Sequence, residues 1–211
     1  MLHILRAFNA RDFKKATQLL DEADQVIPST AISLNTRGAI AIEEHRYVEG
    51  AAFCRDALAK DPSYFPARFN LGEIPFMKKD YPEARKIFTA LLEEKPKNDV
   101  KEMLLFRIFL TYLLEKNEDA ASETLDQIHF PGETAAYYFA QSAREFSQGN
   151  REKAQGWIRS ADWVFSPAKN YFFVEVFYDL GWVKRPDPTA PPKPEKPASS
   201  IATPPGLAPV K

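Results

Sequence analysis

Cysteine is nearly absent from this sequence. Cys54 is the single one in 211 residues, so no disulfide can close within the chain. Histidine is scarce too: His3, His45 and His129 lie far apart and follow no metal-ligand spacing. There is no Gly-rich phosphate loop and no G-x-S-x-G turn. No catalytic residue, metal site or cofactor is therefore expected, and an enzyme reading is poor. An excess of charge of either sign is missing as well: 28 Lys and Arg stand against 29 Asp and Glu. That argues against nucleic acid, whose binding needs a basic face that releases counterions. No apolar run approaches the roughly 20 residues that span a bilayer. The opening stretch "MLHILRAFNARDF" has neither a long apolar core nor a small-residue cleavage site, so it does not read as a signal peptide. The chain reads as soluble, cytoplasmic if complete, and of open location if it is a fragment of something longer.

What is present is a period. Pro28, Pro62 and Pro96 are 34 residues apart, as are Phe13, Tyr47 and Tyr81. Gly38 and Gly72 repeat at that interval. So do three further columns: Ala16, Gly50 and Ala84; Leu20, Cys54 and Phe88; Ala23, Ala57 and Leu91. A fixed period of this size marks stacked supersecondary units. Each column has a physical reason. Small residues let two helices approach closely, an aromatic fills the space between them, and proline ends the second helix by biasing its predecessor away from helical backbone. Cys54 sits in an inter-helix column and reads as a buried small apolar group rather than a nucleophile.

These residues resemble tetratricopeptide repeats, which pair two helices, A and B, in each 34-residue unit. In "RGAIAIEEHRYVEGAAFCRDALAKDP" the matching positions are Gly38, Tyr47, Ala57 and Pro62; in "LGEIPFMKKDYPEARKIFTALLEEKP" they are Leu71, Gly72, Tyr81, Ala84, Phe88 and Pro96. The fold expected is all-α, a right-handed superhelical solenoid of about five repeats over residues 1–183. The repeats are placed at about 1–30, 31–64, 65–98, 99–132 and 133–167, with a C-terminal helix at 170–183 capped by Asn170. The first repeat lacks about three residues at its front. The fourth carries about three extra residues ahead of its helix B, and Ser142, Gly149, Ala154, Ile158, Ala161 and Pro167 restore the pattern in the fifth. The segment 171–183 is apolar apart from Glu175 and Asp179. It is expected either to lie buried across the end of the stack or to form a homodimer surface. Residues 184–211 form a proline-rich tail, with nine prolines between 185 and 211, and are expected to be disordered. Three P-x-x-P patterns begin at Pro188, Pro191 and Pro194.

The resemblance implies a non-catalytic module or scaffold that binds a protein or peptide in a concave groove lined by helix A residues. Asn35, Phe69, Asn70, Glu73, Phe76, Met77, Arg107, Phe139 and Phe146 are the partner-binding candidates. A clamp for a terminal carboxylate, as in the chaperone-binding members, is not expected. Asn35, Ala39 and Met103 stand where that clamp needs Lys, Asn and Lys, and only Asn70 and Arg107 fit it. Likeness to uncharacterised bacterial members implies a scaffold or assembly factor. Secretion-type or assembly chaperones and a self-associating subunit are the alternatives. Pro75, inside a predicted helix A, is expected to kink it and open the groove beside Phe76 and Met77.

Overall fold

The computed structural model describes residues 2–186. The expected tail at 184–211 falls almost wholly outside them. Among the described residues there are eleven α-helices and no strand. Two compact units divide between Phe88 and Thr89. The first unit holds α1 (Leu2–Asn9), α2 (Phe13–Asp24), α3 (Ala31–Glu43), α4 (Tyr47–Lys60) and α5 (Phe65–Met77). The helix α6 (Tyr81–Glu93) crosses the divide. The second unit contains α7 (Asn98–Leu114), α8 (Glu118–Leu125), α9 (Ala136–Ser147), α10 (Arg151–Val164) and α11 (Pro167–Asp179). Within each unit consecutive helices pack on one another, as in a tetratricopeptide-like solenoid.

The period is written in the backbone. Each odd-numbered helix from α1 to α9 ends in one residue of left-handed backbone: Arg11, His45, Lys79, Lys116 and Gly149. The next amide then reaches back five residues, as when Arg46 N–H donates to the Ala41 carbonyl at 2.7 Å and Asp80 N–H to that of Pro75 at 2.8 Å. This closes the last turn and satisfies carbonyls that helix ends leave without partners. The intervals between these residues are 34, 34, 37 and 33. The 37 is the three-residue excess of the fourth repeat, and α7 absorbs it by running 17 residues where α3 and α5 run 13. The residue after each such turn often caps the following helix. Asp12 accepts from Lys15 N–H at 3.0 Å, Asp80 from Glu83 N–H at 3.3 Å and Asn117 from Ala120 N–H at 3.2 Å. Two adjacent residues thus end one helix and start the next.

The small columns are contact points. A Cβ on Gly38 would lie 2.8 Å from Cys54 Sγ and 3.2 Å from the Gly50 carbonyl oxygen. One on Gly50 would meet Ile42 at 2.8 Å and the Gly38 carbonyl oxygen at 3.2 Å. Only bare backbone on both helices allows α3 and α4 to cross this closely. In the fifth repeat Ser142 takes the small position and donates its hydroxyl proton to the Ala154 carbonyl at 2.9 Å, so its polar group is satisfied where it is buried.

Two expectations need correction. The last helix starts at Pro167, with Ser166 as its N-cap. Asn170 lies inside it, buried, donating to Asp162 Oδ1 at 2.9 Å. Proline is favoured at a first helical position, where its missing N–H costs nothing. Pro75 does not divide α5, which runs unbroken to Met77. Only two residues follow the ring, too few to swing a second helical segment away from the first.

The face of α11 is consumed within its own unit. Phe173 packs on Phe106 at 5.2 Å and on Phe139 at 5.7 Å between ring centres, while Phe177 meets Phe139, Phe146 and Trp182 at 5.2 to 5.6 Å. Phe173, Val176 and Phe177 are buried. Arg185 closes the far end, paired with Glu175 at 2.5 Å and lying 4.5 Å above the Tyr178 ring. The apolar character of this helix is explained by burial.

Candidate functional site

In the first unit the helix A face is carried by α3 and α5. These helices start 34 residues apart, and the side chains that meet between them, Asn35 and Asn70, are separated by 35. Asn70 Nδ2 donates to Asn35 Oδ1 at 2.9 Å, tying the two helices through a pair of carboxamides. Asn35 is nearly buried and Asn70 half-buried. A primary amide carries two donor hydrogens and one acceptor oxygen. The bridge uses one hydrogen of Asn70 and the oxygen of Asn35, and leaves the Asn35 amide as donor and the Asn70 oxygen as acceptor. Glu73 and Met77, one and two turns further along α5, are half-buried on the same helix. Thr36 and Arg37 face other ways: Thr36 donates to the Ile32 carbonyl at 2.8 Å, and Arg37 pairs with Asp21 and Asp24 at 2.8 and 2.7 Å.

Phe69 and Phe76, expected on this face, are core residues at 6% and 3% exposure. Phe69 sits between Phe65 and Phe88, with ring centres 5.9 and 5.3 Å away, and Phe76 meets the edge of Tyr81 at 5.7 Å. Helix B of the same repeat supplies both partner rings, and Gly72 lets Phe88 reach them. They hold the repeat together and offer no surface to a ligand. Phe139 and Phe146 are likewise buried, in the aromatic cluster beneath α11. Arg107 is 3% exposed, its guanidinium 4.6 Å above the Phe172 ring and 5.7 Å from Phe106. Stacking on aromatic faces favours a guanidinium there. Of the nine candidates, the structure joins Asn35 and Asn70, and Glu73 and Met77 follow Asn70 three and seven residues further along α5.

A feature absent from the sequence reading lies in the second unit. A cleft of about 1050 Å³ opens where α7 and α11 begin, with Lys97, Asp99, Met103, Glu133, Lys169 and Phe172 among its walls. Beside it Glu102 is buried, accepting from the Thr134 N–H at 3.1 Å and from the Thr134 hydroxyl, so this carboxylate anchors the loop ahead of α9. Neither Glu102 nor Thr134 belongs to a repeating column, which is why periodicity did not single them out.

Reactive chemistry finds little support at either place. Cys54 is fully buried between α3 and α4, and loss of solvation pushes its thiol up to about 11, so the thiolate a nucleophile needs is scarce at neutral pH. Among the described residues no group of three His, Cys, Asp or Glu side chains is arranged to hold a metal ion. No described helix is long and apolar enough to cross a membrane.

Residues 41–108 match a family model described as tetratricopeptide repeat, a span that runs from the end of α3 into α7. No curated protein and no solved structure matches the chain.

Proposed function

We propose that this chain, of tetratricopeptide-repeat type, is a non-catalytic interaction module that takes an extended segment of a partner protein on the α3–α5 face of its first unit. The Asn35–Asn70 bridge carries the reading. A peptide unit presents one N–H and one C=O, and the bridged carboxamides present one acceptor and one donor from a rigid two-helix platform. A backbone gripped in this way needs no particular sequence, and main-chain hydrogen bonds supply affinity in other extended-peptide modes. Met77 offers a flexible apolar contact. Interaction modules of this repeat type recognise proteins. The near-balance of charge, 28 Lys and Arg against 29 Asp and Glu, favours a protein partner over a nucleic acid.

A photo-crosslinking amino acid placed at Met77, with another at Val48 as control, tests this reading in the native extract. Val48 is 88% exposed on α4, a helix B position. The expected result is a discrete crosslinked protein from position 77 that disappears with Asn70→Ala and is absent from position 48. Capture from position 48 alone would assign recognition to the opposite face.

A further inference from the structure

Five aromatic rings from four separate segments meet in the second unit and form a second surface. Phe130 comes from the loop between α8 and α9, Tyr137 and Tyr138 from the first turn of α9, Trp157 from α10, and Phe165 from the link to α11. Phe130 lies 4.7 Å from Tyr137 and 5.7 Å from Tyr138. Trp157 lies 6.1 Å from Tyr137 and 6.3 Å from Tyr138, and Phe165 is 6.1 Å from Tyr138. Four of these five pairs are edge-to-face, so perpendicular rings leave notches between them. Phe130 is 41% exposed, and Tyr137, Trp157 and Phe165 are half-buried.

The hydrogen-bonding groups on this surface are unused. No described residue hydrogen-bonds the Tyr137 hydroxyl, the Tyr138 hydroxyl or the Trp157 indole N–H, and none of the three is a buried unsatisfied atom. Aromatic notches bearing Tyr and Trp donors are the chemistry that takes proline-rich segments. Pyrrolidine rings fill the notches, and the segment's carbonyls, which have no internal partners, accept from the donors.

The chain carries such a segment close by. The description ends at Pro186, one residue past Arg185, which is clamped on the last turns of α11. Phe165 stands just ahead of the first residue of α11, whose 13 residues span about 20 Å. An extended proline-rich chain rises about 3.1 Å per residue, so about six residues cover that distance. That length allows "PPKPEKP", residues 191–197, to reach the aromatic rings. The exposed Glu133, in the loop that carries Phe130, suits Lys193 or Lys196. We propose that the surface formed by Phe130, Tyr137, Tyr138, Trp157 and Phe165 is the docking site of the chain's own segment 191–197.

A short tether holds such a segment at an effective concentration of about 1 mM, so an intrinsic Kd of about 0.1 mM leaves the site about nine-tenths occupied in cis. The test uses a fluorescent peptide of residues 188–200 and the full chain, wild type beside Pro191→Ser/Pro194→Ser/Pro197→Ser. These substitutions lie beyond the described helices in sequence, and helical circular dichroism of both proteins checks that the fold is kept. Anisotropy titration is expected to show the peptide binding the triple variant about tenfold more tightly than wild type, because the internal competitor is gone. Tyr137→Phe, which removes only a hydroxyl, is expected to weaken binding in the triple-variant background. Equal affinity for wild type and triple variant overturns docking in cis and leaves a site for another molecule's proline-rich segment. Absence of binding to both, or binding indifferent to Tyr137→Phe and Trp157→Phe, overturns the site itself.

Discussion

Replacing Gly72 by alanine sets two known effects against each other. Alanine in a helix interior is ordinarily better than glycine by about 0.5–1 kcal/mol, because glycine loses more conformational freedom on folding. Here, however, the new Cβ would lie 2.6 Å from Phe88 Cε1 and 3.0 Å from two further atoms of that ring. Phe88 is fully buried and packed against Phe69, with ring centres 5.3 Å apart, so it has nowhere to retreat. Overpacking of this kind costs about 1–3 kcal/mol. The steric term wins, and Gly72→Ala should destabilise the protein by about 1 kcal/mol net. For a chain of this size that lowers Tm by about 3 °C. The cause can be isolated with Phe88→Leu, which opens the space the methyl needs and costs about 1.5 kcal/mol alone. In the double variant the clash is relieved, so total loss should stay near that of Phe88→Leu. This is a coupling of about 1 kcal/mol from additivity. Urea titrations followed by helical circular dichroism measure all four proteins. Stabilisation by Gly72→Ala, or strict additivity in the double variant, would refute the claim that this column exists for close helix approach.

The left-handed turn residues allow an opposite change. Lys116 has φ 62°, and Lys116→Gly should raise stability by about 1 kcal/mol, whereas Gly149→Ala at φ 81° should lower it by a similar amount although nothing lies within 4 Å of the new methyl; thermal melts check both. Cys54 supplies a pH dependence. Its thiol is pushed up from about 9 to about 11 by burial, so the folded state holds its proton more tightly than the unfolded state does. That contribution is fully present below pH 9 and is lost as pH rises to about 11. The wild type should therefore lose stability relative to Cys54→Ala across that window, and parallel curves would disprove it. The same burial predicts that Cys54 reacts with thiol reagents at neutral pH only at the rate of unfolding.

Much of the architecture is local, and local features are legible in a sequence. The 34-residue interval, the extra three residues of the fourth unit and the small columns at Gly38, Gly50 and Gly72 all follow from short-range requirements. A turn needs a residue that tolerates positive φ, a helix start needs a side-chain acceptor, and a close crossing needs no Cβ. The α11 boundary was missed for a local reason of another kind. Proline both stops one helix and starts the next, and the repeat pattern marks Pro167 only as a stop. Its first turn also carries Ala168 and Lys169, which leave Asn170 looking like the earliest cap.

The fate of the aromatic rings could not be read in the same way. Phe69 and Phe76 occupy helix A positions at which tetratricopeptide repeats typically face the groove, yet they are buried because Phe88 and Tyr81, from the following helix, rise to meet them. Asn35 and Asn70 stand 35 residues apart, one off the period, and are tied to each other by a carboxamide hydrogen bond that the 34-residue columns do not mark. Whether a ring is core or surface depends on which rings face it across a helix pair, and that is a property of packing. Phe130, Tyr137, Trp157 and Phe165 obey no period at all, and only the assembled helices bring them together. Sequence by itself determined the repeat, its helices and the places where they touch, since backbone sterics and capping act over a few residues. Tertiary structure alone decided which side chains were left over to bind, because that is settled by neighbours tens of residues away.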